Sequence, residues 1–387
     1  MITRFGTVYP GHVDLPDMGQ MATPANERRF SNEHLVTVFE KTDAVAKVMD
    51  DTGWEILWLA EHHFQHEGYE VLPNLLLHAV HLAHVTKRLR IGCGFNITPM
   101  WHPLRLAEDF ALADILTGGR VVFGVGRGYH SREVETFGAP ILDAEANREL
   151  FEEQVEIIFK AFNEESFSHQ GKHYTLPPAV PYRGYELREI TLVPRPIHRP
   201  VECWQPIVSA KPRALDFMVH HGIKGVIGGG AATMAEGPIF AFREAAARAG
   251  KQWQLGENLG IGIFFHLADT RERAIREITP FYEEHVKMFA PLNFVPGITP
   301  AQVEAAARRG GWSAAGVPTV EHYMKTGAWF AGPPEELVAY LKDLESRYPG
   351  LELINLSTSM GTPKAVMLEQ LAWAAKDVLP AFTGRRS

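Results

Sequence analysis

Cysteine is nearly missing. Cys93 and Cys203 are the only two in 387 residues. Two thiols make no disulfide framework, so a reducing, cytoplasmic setting is the expectation. No run approaches the ~18 consecutive apolar residues that span a bilayer. The opening Met-Ile-Thr-Arg-Phe-Gly has no basic segment followed by an apolar stretch, so no secretory leader is expected. Basic residues are not in excess: 38 Lys and Arg stand against 46 Asp and Glu, a formal charge of −8. That balance argues against nucleic acid or an anionic membrane as the partner. There is no low-complexity tract, and no internal repeat of about 20–50 residues beyond an alternation described below. The strand–GxGxxG–helix fingerprint of dinucleotide binders and the phosphate-loop lysine pattern are both missing.

What is present is a large potential core, with 45% hydrophobic and 22% charged residues. Short apolar runs bounded by Gly, Pro or Asn predict strands at Arg4–Val8, Trp54–Leu59, Arg90–Ile97, Val121–Val125, Gln205–Ser209, Ile223–Ile227, Leu259–His266 and Leu351–Leu356. Longer amphipathic runs between them predict helices. Asn32–Asp51 carries Leu35, Phe39, Val45 and Val48 and is followed by Gly53. Pro103–Leu116 starts on proline and stops before Gly118-Gly119, and Asp143–Phe162 opens on a capping aspartate. Later helices are predicted at Lys211–His221, Gly237–Ala249, Asp269–Phe289, Pro334–Ser346 and Pro363–Val378. Eight strands separated by helices predict a closed (β/α)8 TIM barrel, since parallel strands need helical crossovers. The chain reads as one barrel domain over 1–387, with long insertions at about 166–203 and 291–327 that suit lids or binding loops.

In "EILWLAEHHF" an apolar strand ends in Glu61, His62, His63 and Phe64. Barrel chemistry sits at the C-terminal ends of strands, and alternation sends neighbouring residues to opposite sides. Only one of the two histidines is therefore expected to face the centre. His63-x-x-His66 with Glu61 offers metal-ligand types, but no second cluster has convincing spacing and no metal is expected. Ordinary buried histidines bonded to carbonyls fit the same pattern. In "RVVFGVGRGYHSREVETFG" a strand ends in Gly124-Val125-Gly126-Arg127-Gly128. The glycines would let a ligand approach the backbone, and Arg127 could grip a phosphate; a tight turn with a solvated arginine fits equally. In "WQPIVSAKPRALDF" a strand runs through Ser209-Ala210-Lys211 into a helix. This is an anion site or a plain helix cap. Tyr9, Phe64, Phe95, Trp101 and Trp204 fall near strand ends and could line a cavity or fill core.

The order of these motifs is more specific than any one of them. "EHHF", "IGCGFNITPMWHPLRLAEDFALADILTGGR", "FGVGRG" and "PIVSAKPRALDFMVHHG" together resemble the bacterial luciferase-like flavin monooxygenases. The likeness is clear over about residues 1–230 and looser beyond. It implies a (β/α)8 barrel and an FMN-dependent monooxygenase that uses reduced FMN and O2 on a small organic substrate. It also implies a separate flavin reductase and a homodimer joined through the helices around Leu75–Val85 and Leu104–Leu116. His62 matches the family's catalytic histidine. Gly94 and Phe95 fall where the flavin ring is supported, often through a cis bond, and Arg127, Ala210 and Lys211 fall where the flavin phosphate is bound. Tyr9, Phe64, Trp101 and Trp204 are the expected substrate-binding residues. The luciferases proper have two small residues in place of Gly94-Phe95, a cysteine in place of Gly126 and an acid–serine pair in place of Ala210-Lys211, so light emission is not implied. Three rivals remain: a deazaflavin-dependent hydride-transfer enzyme on the same fold, a metal-dependent barrel hydrolase, and a non-enzymatic flavin-binding relative.

Overall fold

The computed structural model describes residues 1–228 and 232–384. Eight parallel strands close into a barrel: β1 (Arg4–Tyr9), β2 (Ile56–Leu59), β3 (Arg90–Cys93), β4 (Val121–Gly126), β5 (Cys203–Pro206), β6 (Lys224–Ile227), β7 (Leu259–Leu267) and β8 (Leu353–Ser357). Each pairs with its neighbours in sequence, and β8 closes the ring by pairing with both β7 and β1. The helices that cross over between strands include α1 (Thr37–Thr52), α2 (Leu75–Val85), α3 (Pro103–Leu116), α4 (Ala144–Asn163), α5 (Pro212–His221), α6 (Ala232–Arg248), α7 (Arg271–Phe289), α8 (Pro334–Arg347) and α9 (Lys364–Asp377). The TIM-barrel fold expected from the alternation is therefore present.

The strands show the period-two logic directly. In β2, Leu57 and Leu59 join the core between strands and helices, while Ile56 and Trp58 belong to a separate cluster with Val122, Trp204, Val226 and Leu353. That second cluster is the barrel interior. Trp58 and Trp204 meet edge to face there, 5.7 Å apart. Two indoles fit only because glycine stands opposite: a Cβ on Gly92 would lie 2.1 Å from the Trp58 ring. In β4, Val121, Phe123 and Val125 face the helices, and Gly124 and Gly126 alternate with them.

The sequence reading differs from the structure in four places. The helix expected over Asn32–Asp51 is a single turn, Asn32–Leu35, followed by α1. Ser31 caps that turn, and the Thr37 hydroxyl donates to the His34 carbonyl at the junction. The third strand is interrupted at the cis Gly94–Phe95 peptide and resumes as Asn96–Ile97 beside β4. The fifth strand begins at Cys203 and ends at Pro206, which has no N–H to carry the ladder on. A ninth strand, Trp329–Gly332, pairs alongside the second half of β7.

The two long insertions are not structureless. Residues 166–203 hold two small hairpins, His169–Gln170 with Thr175–Leu176 and Pro181–Tyr182 with Tyr185–Glu186. Residues 291–327 form short helices that pack with α7 around a hydrophobic core of their own, including Tyr282, Trp312, Tyr323 and Trp329. A buried ionic network pins this unit to the loop after β1. Glu284 of α7 is fully buried and meets Arg28 at 2.9 Å, Lys287 at 2.7 Å and the Tyr69 hydroxyl. Arg28 also meets Asp17 at 2.8 Å, and Lys287 donates to the Thr23 carbonyl.

Removing one partner of a buried network leaves the others uncompensated. Glu284→Ala is expected to cost roughly 3–5 kcal/mol, read as a lower midpoint in urea unfolding at unchanged slope. A change below about 1 kcal/mol, the range of an exposed pair, would mean that the network adds little.

Candidate functional site

The C-terminal ends of the strands surround one cavity of about 490 Å³. Its floor is the barrel interior, and its wall takes in Gly94 and Phe95 from the bend after β3, Gly126 and Arg127 from the end of β4, and Gln205 and Pro206 from β5. Glycine lets the bend after β3 pack directly against β4. A Cβ on Gly124 would fall 1.9 Å from the Cys93 carbonyl oxygen, and one on Gly126 would fall 3.1 Å from Phe95 Cβ.

One corner is polar and fully hydrogen-bonded. His62 leaves β2 into the cavity, with Nδ1 3.0 Å from Glu133 Oε1 and Nε2 3.1 Å from the Tyr129 hydroxyl. Tyr129 donates to Glu70 Oε1 at 2.7 Å, and His130 Nε2 lies 2.9 Å from Glu70 Oε2. Burial pushes the His62 pKa down, but the carboxylates of Glu70, then Glu133 and Glu61, raise it above the ordinary 6.5 on balance. Burial raises the Glu70 carboxyl, yet His62 and His130 bring it below its usual value. His62, Glu70 and His130 also place three donor atoms within 4.8 Å of one another, close enough for a metal ion. The Tyr129 hydroxyl already bonds two of those side chains.

A second corner is cationic. Arg127 and Arg148 both line it, and the wall also takes in Ser209, ahead of α5, and Ala214 in its first turn. Arg127 donates from Nε to Asn147 Oδ1 at 2.7 Å and from Nη2 to the Ala144 carbonyl at 2.9 Å, which fixes its guanidinium. Burial, and then the like charge of Arg148, pull the Arg127 pKa below its usual value. Such a pair favours an anion between its members. The remaining wall is apolar and aromatic, with Phe264, Phe289, Phe294 and Met360. Three buried polar atoms on the cavity wall have no hydrogen-bond partner among the described residues: Gln205 Oε1, Thr358 Oγ1 and His285 Nδ1.

The structure thus brings His62, Gly94, Phe95 and Arg127 to one cavity. Ala210 and Lys211 stand just outside it, where Lys211 is exposed at the N-cap of α5 and their neighbour Ser209 takes the lining position. The four aromatic side chains expected around a substrate do not line it. Tyr9 is buried and donates to the His12 carbonyl, and Trp204 fills the barrel interior and donates to Glu202. Trp101 donates to Glu61 at 2.9 Å. Phe64, 51% exposed, stacks on Phe137 outside the cavity. His63 points away from His62 and meets Glu61 at 3.1 Å.

A family model for luciferase-like monooxygenases matches residues 4–349. The chain belongs to that family. Among curated relatives, it is similar to the oxygenase component of a flavin-dependent trigonelline monooxygenase from Acinetobacter baylyi. The two are 27% identical over 197 residues, which is 51% of this chain and 50% of that protein. The chain spans half or less of the length of the first curated relatives it matches. Among solved structures, it shares its fold with the oxygenating constituent of 3,6-diketocamphane monooxygenase from Pseudomonas putida, a complex with FMN. The TM-score is 0.67 at 18% identity, covering 98% of this chain and 99% of that one. It also shares its fold with a secondary alcohol dehydrogenase dependent on coenzyme F420, with a TM-score of 0.62 at 15% identity, covering 99% of each chain.

Five side chains of this luciferase-like site were not singled out from sequence: Glu70, Tyr129, His130, Glu133 and Arg148. Tyr129 and His130 directly follow the glycine turn, so position along the chain was an available signal. Glu133 and Glu70 reach His62 only through tertiary pairing of separate loops. Arg148 sits within the first turns of α4, where it reads as an ordinary surface cation.

Glu61 ties the wall together. Its buried carboxylate accepts from Ile97 N at 2.7 Å, from Trp101 Nε1 and from His63 Nε2. Glu61→Ala strands those donors and is expected to lower stability by about 1–3 kcal/mol, whereas His63→Ala removes one donor and costs about 1 kcal/mol. Thermal unfolding of the two variants measures the difference.

Proposed function

We propose that this protein is the oxygenase of a two-component FMN-dependent monooxygenase, which takes reduced FMN from a separate flavin reductase and uses O2 to oxygenate a small organic substrate. The observation that carries the reading is the shape and polarity of one cavity. A cationic corner at Arg127 and Arg148 suits the FMN phosphate. The narrow bore beside Gly94, Phe95 and Gly126 suits a flat ring, and the unpartnered Gln205 and Thr358 suit the polar edge of that ring. Lys211, exposed beside the same corner, would add charge at longer range. Reduced flavin, when bound, supplies the two electrons that activate O2. The chain's own contribution is to hold the ring away from water, to neutralise the phosphate and to manage protons at His62. Phe264, Phe289, Phe294 and Met360 would face the substrate rather than Tyr9, Phe64, Trp101 and Trp204.

The fold shared with an F420-dependent dehydrogenase keeps hydride transfer as the competing reading. The paired histidines and the N-terminal motifs favour the monooxygenase side. The partner reading rests on the missing dinucleotide fingerprint and on the relative described as an oxygenase component. A homodimer is proposed through α2 and α3, where Leu77, Leu112, Ile115 and Leu116 are exposed apolar side chains on adjacent helices. No helix among the described residues is long and apolar enough to cross a membrane. We keep a cytoplasmic location as part of the proposal.

Mixing the protein and reduced FMN with oxygenated buffer in stopped flow tests the reading. A transient flavin absorbance slower to decay than free reduced FMN is expected, with turnover from NADH or NADPH only after a reductase is added. Rapid NAD(P)H turnover without reductase would remove the two-component scheme, and preferential binding of reduced coenzyme F420 without oxygen consumption would favour hydride transfer. Arg127→Ala is expected to weaken reduced-FMN binding by roughly 1.5–3 kcal/mol, with Lys211→Ala weaker in effect. Unchanged affinity in the Arg127 variant would displace the phosphate from this corner. His62→Ala is expected to fold and bind FMN yet lose about 100- to 10,000-fold in single-turnover rate.

A further inference from the structure

The hydrogen bonds around His62 define its protonation by elimination. The Tyr129 hydroxyl has one proton and places it on Glu70 Oε1 at 2.7 Å. Toward His62 Nε2, 3.1 Å away, Tyr129 therefore presents a lone pair, and Nε2 must carry a hydrogen. At the other side of the ring, Nδ1 faces Glu133 Oε1 at 3.0 Å, and that oxygen already accepts from Gln65 Nε2. A carboxylate only accepts, so Nδ1 carries a hydrogen as well. Both nitrogens protonated is an imidazolium. The surroundings agree in sign. Glu61 lies at the end of the same strand, Glu70 comes from the loop after it, and Tyr129, His130 and Glu133 follow β4. His285 faces from α7, where burial depresses its pKa to about 3, so it adds no competing charge. The cation Arg132 is turned outward onto Glu67 and Gln65.

His62 and Glu70 line the main cavity and also a separate outer groove, shared with Phe64, Gln65, His66 and Val71. The pair is thus a wall between the reaction cavity and a depression on its far side.

We propose that His62 rests as an imidazolium and gives a proton into the cavity, with Glu133 as the positioning residue that holds its ring and Glu70 as the group that reloads it from the outer groove. The proposal rests on reading the main cavity as the oxygenation site. Monooxygenation puts one oxygen atom of O2 into the substrate and releases the other as water, which requires protons. In the step assigned here the Nε2–H bond breaks as the Tyr129 oxygen takes that proton, the Tyr129 O–H proton forms the O–H bond on the departing oxygen, and neutral imidazole and neutral tyrosine are left. Glu70 then takes a proton from hydronium or a buffer acid in the groove and passes it to Nε2. Glu70 returns to carboxylate, one solvent proton is consumed, and no electrons move. The main cavity stays dry because the proton enters from behind.

The test uses the full chain with ¹⁵N-labelled histidine, His62 being assigned from a His62→Gln variant. Both ring nitrogens are expected at imidazolium shifts at pH 7, titrating above the ordinary 6.5. Glu133→Gln is expected to lower that titration by about one unit and to move the pH limb of the single-turnover rate with it, while Glu133→Asp recovers part of the shift. A purely structural Glu133 would lower melting temperature and rate without moving either titration, and would overturn the positioning role. A neutral His62 tautomer at pH 7 would overturn the proposal itself. Val71→Trp narrows the groove. Slower multiple turnover with an unchanged first turnover supports reloading from that side, and equal slowing of both overturns it. The resonance measurement needs no flavin, so loss of the FMN reading would be separately visible as failure of reduced FMN to bind.

Discussion

The bore of an eight-stranded barrel is fixed, and how it is filled decides everything above it. Here two indoles, Trp58 and Trp204, occupy the lower bore. They fit because Gly92 offers no side chain against Trp58. Higher up, the Cys93 carbonyl and the Phe95 ring close in on Gly124, and Gly126 leaves the rim of β4 without a side chain, while Val121, Phe123 and Val125 of the same strand seal the helix-facing core. Packed tryptophan below and missing side chains above turn a closed cylinder into a cup. The cup then collects whatever the strand ends carry.

What they carry is sorted by the two-residue repeat of the strand. Glu61, His62 and His63 are consecutive, and each goes to a different task. His62 enters the cavity, and His63 turns outward onto Phe137 and bonds Glu61. Glu61 lies beneath them and holds the segment after β3 through Ile97 and Trp101. An acid followed by two histidines is therefore a single fixture: one residue facing the cavity and two that keep the adjoining wall in register.

The alternation of short apolar and long amphipathic runs made the barrel legible before any coordinates. Local capping made Pro103–Leu116 legible to the residue. Less was legible where tertiary pairing overrides local pattern. Phe95 lies within an apolar run that reads as one strand, yet the chain bends there. Pro206 ends β5 earlier than its apolar neighbours suggest. In the site, residues next to a strand end or glycine turn were readable, as with His62, Gly94 and Arg127. Glu70 and Glu133 were not, because nothing local marks which loop carboxylates will meet an imidazole. Aromatic residues near strand ends were ambiguous for a physical reason: a large ring at that height can face the cup or plug the bore, and Trp204 plugs it.

The aromatic roof of the cavity joins two packing units. Phe289, at the end of α7, packs against both the barrel's core and the smaller core that α7 shares with the inserted helices, and Phe294 in the segment after it lies 4.7 Å from the Tyr129 ring. The buried Glu284 cluster fastens the smaller unit to the rest of the molecule. Side-chain changes in the roof therefore reach the Tyr129 ring, and through its hydroxyl the spacing of His62 and Glu70. Evolution cannot exchange the roof of such a molecule without refitting the polar corner beneath it, so the two parts of the cavity change as one.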